Sequence, residues 1–166
     1  MEIYVRGNHP NELIQNANQE LNKYKTEYET IRTERELERM MGVRLIDYST
    51  GWGMHTFFGG QSLFVPQIVL QFKNISGYTL TDRIEIKVEF IDTVKNEMFG
   101  SNESYLIGYS ESLQKDFSKS IFIYSSRGYT SEWSSWELSS LPTIDARIYI
   151  NNRLHKTQNI RKQYRR

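Results

Sequence analysis

The chain has 166 residues, 38% hydrophobic and 25% charged, with a formal net charge of +1. That composition belongs to a globular domain long enough to bury a core, not to a disordered tail. The lack of Cys excludes a disulfide scaffold, Cys-ligated zinc, an iron–sulfur cluster and a thiol nucleophile.

The opening MEIYVRGNHP has no apolar core followed by a small-residue cleavage site, so it does not read as a signal peptide. No window approaches the length of apolar chain that spans a bilayer. Two compartments stay open: the cytoplasm, or the cell exterior for a protein given without its leader.

Residues 10–41 are expected to form one helix. Asn8 or Asn11 can cap it, Pro10 suits its first turn, and Gly42 is where it should stop. Ile14, Ala17, Leu21, Tyr24, Tyr28 and Ile31 alternate steps of three and four, a single heptad seam of about two and a half repeats. Polar residues fill the other faces, so the stripe must either lie on the rest of the protein or meet another helix. A protein partner or a homo-oligomer through this helix is one expectation, and a stalk is another. We take residues 1–42 as an appendage, 43–160 as the main domain and 161–166 as a basic tail.

From Val43 the apolar period changes from helical to two. Strands are expected at Val43–Tyr48, Val65–Lys73, Arg83–Asp92, Tyr105–Leu113, Lys119–Tyr124, Ile144–Ile150 and Leu154–Ile160. The clearest is Arg83–Asp92, with Ile84, Ile86, Val88 and Phe90 on one face and Glu85, Lys87 and Glu89 on the other. Asn74-Ile75-Ser76-Gly77 and Asn151-Asn152 carry turn chemistry. No helical period separates successive strands, so the fold class is mainly β. It is an antiparallel immunoglobulin-like sandwich of about seven strands behind one long N-terminal helix.

The pattern VLQFKNISGYTLTDRIEIKVEFID at Val69–Asp92 resembles FxLYD-type, bacterial immunoglobulin-like domains. In these a strand, an Asn-x-Ser turn and an alternating strand lead to an aromatic residue and then Asp, here Phe90-Ile91-Asp92. After Asp92 the chain departs from the pattern, with Thr93-Val94-Lys95-Asn96 in place of a Gly-containing turn. The resemblance implies a binding or structural module outside the cytoplasm, with no catalytic residues to transfer.

Little else in the chain points to chemistry. His9, His55 and His155 show no metal-ligand spacing. Phosphate-loop, dinucleotide and nucleophile-elbow motifs are absent, so no cofactor and no metal are expected. The stretch Gly51–Gly60 is rich in Gly and aromatics. It is read as a loop in which Trp52, Phe57 and Phe58 either cap the core or meet a partner, because rings on a glycine-hinged backbone give contact area at low entropic cost. Trp133 and Trp136, in the irregular segment 125–141, are the other contact candidates. Residues 153–166 carry six basic groups and no acidic one. Part of that stretch is a predicted strand, so nucleic acid is not the expected main partner and a frayed basic end is.

Three functions follow. The first is a non-enzymatic protein-interaction or structural module of a bacterial extracytoplasmic or surface assembly. The second is a small-molecule or carbohydrate-binding sandwich that uses the tryptophans. The third is an enzyme with a site where His55 meets Asp47 or Asp92.

Overall fold

A computed structural model describes residues 9–130 and 139–163. The chain divides into two units between Leu37 and Glu38. The first unit is the body of helix α1 (Pro10–Met41). Pro10 opens it without wasting a donor, and the Leu13 N–H reaches the His9 carbonyl at 3.1 Å. Glu12 in the first turn and Arg39 in the last complement the helix dipole. Gly42 ends the helix at φ 71°, a left-handed conformation that costs Gly little. Ile14, Leu21, Tyr24, Tyr28 and Ile31 are all exposed, Ile14 and Tyr28 to 60% and 68%.

Among the described residues, the second unit holds eight strands in two antiparallel sheets that form a β-sandwich. One sheet has β1 (Val43–Thr56), β2 (Ser62–Asn74) and β5 (Ser118–Tyr124) in the order β1-β2-β5, and the two-residue β6 (Tyr129–Thr130) pairs with the start of β2. The other has β3 (Ile84–Asp92), β4 (Glu97–Ile107), β7 (Ile144–Ile150) and β8 (Arg153–Asn159) in the order β4-β3-β7-β8. Alternating residues of both sheets build the core, among them Ile68, Leu70, Phe72, Ile86, Val88, Phe90, Ile148 and Ile150, all at 0% exposure. Burying one such side chain contributes roughly 1.5–3 kcal/mol.

Three expectations need correction. The first strand does not stop at Tyr48 but runs to Thr56, pairing Gly51 with Gln67 and Gly53 with Val65. Neither glycine has a positive φ; both are buried strand residues. The turn lies at Phe57–Gly60, where Gly59 and Gly60 have φ 100° and 85°. The fourth strand covers Glu97–Ile107, not Tyr105–Leu113, and Leu113 makes only an isolated bridge to Leu80. Asp92 Oδ1 accepts the N–H groups of Val94 and Lys95 at 3.0 and 3.1 Å, and Asn96 takes φ 54°. The chain therefore reverses at once, with Asn in the role glycine would otherwise fill.

The basic end is also not frayed as far as Gln163. The Trp52 N–H donates to the Gln163 carbonyl at 2.8 Å, the Gln163 side-chain amide donates to the Thr50 carbonyl at 2.9 Å, and the Arg161 N–H donates to Thr50 Oγ1 at 3.1 Å. These bonds occupy polar groups on the edge of β1 that would otherwise face solvent or another chain.

Candidate functional site

The outer face of the β1-β2-β5 sheet carries a group of aromatic rings. Register places His55 opposite Leu63 and Tyr124 opposite Gln67, so strands β1 and β5 flank β2. The His55 and Tyr124 rings meet across β2, stacked with centroids 3.4 Å apart. Phe57 sets its edge against both, at 4.9 Å from His55 and 5.7 Å from Tyr124. Phe122 lies 5.7 Å from Tyr124 and is 45% exposed. Phe58 is fully exposed, directly before the Gly59-Gly60 turn. Burial holds the His55 imidazole below its ordinary value, which keeps the ring neutral and suited to stacking.

The sequence-predicted contact residues separate here. Phe57 and Phe58 reach the surface, whereas Trp52 is at 0% exposure in the core. It packs on Phe64, Phe99 and Tyr129 at 5.8, 6.0 and 6.2 Å between centroids, and its indole N–H has no hydrogen-bond partner among the described residues. Strand alternation explains the burial: Trp52 pairs with inward-facing Pro66, one residue out of phase with His55. Trp52 is therefore corrected from contact residue to core residue. Trp133 and Trp136 lie outside the described residues. His55, Tyr124 and Phe122 come together only through strand pairing, and no motif linked them beforehand.

His55 has aromatic neighbours, while the two carboxylates considered for it are engaged elsewhere. Asp92 caps the β3–β4 turn, and Asp47 Oδ1 accepts the Tyr48 N–H at 2.8 Å. Among the described residues no group of three or more His, Asp or Glu is placed to hold a metal ion.

A cleft of about 270 Å³ opens beside the last turn of α1, lined by Arg39, Met41, Tyr78, Asp82, Arg83 and Asn151 among others. Arg83 is held between rings, its guanidinium carbon 4.0 Å from the Tyr105 centroid and 4.8 Å from that of Tyr109. It also donates to the Tyr109 hydroxyl at 2.9 Å. Sequence reasoning missed this cleft because its walls come from three distant segments.

On the outer face of the second sheet, Lys87 Nζ lies 2.8 Å from Glu89 Oε1, and the Tyr149 hydroxyl donates to Glu89 Oε2 at 2.8 Å. The Lys87 bond holds the Glu89 carboxyl below the usual carboxylate range, while burial and the bond to Glu89 push the Tyr149 phenol up. These groups hold one another in place across β3 and β7.

No family model matches the chain, and no curated protein matches it. Among solved structures, it is similar to part of the crystal structure of a glycosyl hydrolase family 2 member from Bacteroides cellulosilyticus DSM 14838. Identity is 9% and the TM-score 0.39, over 66% of this chain and 15% of that one.

Proposed function

We propose that the chain is a non-enzymatic interaction module with an immunoglobulin-like sandwich, acting in a bacterial extracytoplasmic or surface assembly. The strand order supports the immunoglobulin-like assignment. Setting aside the short β6, the second long strand pairs with the fifth, and the third with the sixth, as strands B with E and C with F do in that fold. The extracytoplasmic setting rests on the FxLYD-type resemblance at Val69–Asp92.

The observation that carries the function is the full exposure of Phe58 on its turn, together with the exposed Phe122 next to the Tyr124 ring that stacks on His55. Exposed rings on a rigid sheet supply contact area with little ordering cost, and aromatic residues are enriched where partners bind. The test is the double substitution Phe58→Ala with Phe122→Ala. We expect an unchanged melting temperature and at least about a tenfold loss of affinity for a protein partner captured from the native cell envelope. A partner held equally well by the double variant would overturn the assignment. A glycan that raises the melting temperature of the wild type but not of the variant would reassign the same rings to carbohydrate binding.

A further inference from the structure

We infer that the N-terminal helix joins two copies of this chain in parallel and in register. The inference concerns α1 alone and does not depend on the sheet face. The seam residues Ile14, Leu21, Tyr24, Tyr28 and Ile31 are exposed along the helix, so the apolar stripe is open to a partner. With Ile14, Leu21 and Tyr28 at the a positions and Ala17, Tyr24 and Ile31 at d, the flanking positions follow. The g positions hold Glu20, Glu27 and Glu34; the e positions hold Asn18, Lys25, Arg32 and Arg39.

In a parallel pair each g residue faces the e residue five positions further along the other helix. Glu20 then meets Lys25 of the second copy and Glu27 meets Arg32, and the same spacing recurs at Glu34 and Arg39. Every one of these pairs joins an acid to a base. An antiparallel pair would set g against g and e against e, Glu facing Glu and Lys or Arg facing Arg. The charges thus select both the partner, a second identical helix, and its direction. Arg32 Nε already bonds Glu36 Oε1 at 2.8 Å within the helix. That pair is exposed, and a guanidinium has donors to spare for a second carboxylate. The seam ends where Arg35 and then Glu38 fall on the next a and d positions, so the contact is short and its strength depends on concentration.

Because the chain has no Cys, single cysteines report geometry without background. Ala17→Cys sits at a d position on the seam, and Gln19→Cys sits on the outer f position. A parallel in-register pair brings two d-position Cα atoms within disulfide reach, roughly 7 Å or less, and keeps f positions apart. Under mild oxidation we expect Ala17→Cys to link into covalent dimers and Gln19→Cys to stay monomeric. Sedimentation of the wild type between about 1 μM and about 500 μM is expected to show a monomer–dimer equilibrium. Glu20→Lys with Glu27→Lys should weaken it by about tenfold or more with unchanged helicity. A monomer throughout that range would overturn the inference. Equal linking of the two cysteine variants, or dimerisation indifferent to the charge reversal, would do the same.

Discussion

One carboxylate oxygen of Glu38 lies 3.3 Å from His155 Nε2, joining the last turn of α1 to strand β8. The same oxygen accepts the Leu45 N–H at 3.1 Å, and its twin lies 3.4 Å from Arg44 Nε. Glu38 and His155 are only 7% and 5% exposed. Glu38→Ala removes an acceptor from a buried imidazole and from a backbone donor at once. Such losses cost about 1–3 kcal/mol per group, so we expect about 3 kcal/mol of destabilisation in denaturant unfolding. Glu38→Gln keeps an acceptor for Leu45 and should lose less. Equal stability of Glu38→Ala and the wild type would show that the pair is not a structural tie.

Asn74 is fully buried and uses both ends of its amide. Its Nδ2 donates to the carbonyls of Tyr78 and Leu113 at 2.7 and 2.8 Å, and its Oδ1 accepts from the Ser76 N–H and hydroxyl at 2.9 and 2.7 Å. An ionised carboxylate cannot donate to two carbonyls. Asn74→Asp should therefore destabilise at least as much as Asn74→Ala, by about 3 kcal/mol or more at neutral pH. Chemical denaturation of both variants checks the order, and a milder effect for Asn74→Asp would contradict it.

The depressed His55 titration has a definite sign. Burial disfavours the imidazolium in the fold, so the unfolded chain binds more protons below its value near 6.5. Stability from this group is complete above that value and falls as pH drops through the folded-state value. We expect the melting temperature of the wild type to fall more between pH 7.5 and pH 5 than that of His55→Gln. Proton NMR should place the His55 midpoint below 6.5. A midpoint above it would reverse the sign and reject the burial argument.

Ending the chain after Ile160 removes the Arg161 N–H bond to Thr50, both Gln163 bonds and the cover over the β1 edge. At about 1 kcal/mol net for each bond, truncation should cost about 3 kcal/mol. It should also raise the tendency to self-associate through the open edge. Thermal unfolding and light scattering check both outcomes, and an unchanged melting temperature would mean that the strap adds nothing.

Much of the architecture was legible because period-2 alternation is a local property. Ile84, Ile86, Val88 and Phe90 had to share a face in any extended conformation, and they are the inward face of β3. Asn151 and Asn152 tolerate positive φ, and both adopt it, at 46° and 64°. The helix limits followed from Pro10 and Gly42 for the same reason: caps act within one turn.

Trp52 shows where local reasoning fails. Glycines on either side looked like a loop, yet an extended glycine is as acceptable to a strand when its partners, Gln67 and Val65, complete the ladder. Strand β4 was misplaced because its polar stretch Ser101–Ser104 has little alternation to show, as befits the edge of its sheet. By itself, the sequence determined which residues must turn inward, where the helix ends and how charge is set along its seam. These depend on neighbours within a few residues. Only the tertiary structure decided that Trp52 is core, that His55 stacks on Tyr124, that Glu38 meets His155 and that Gln163 straps β1. Each of these joins residues far apart in the chain, whose meeting depends on strand pairing that no local pattern encodes.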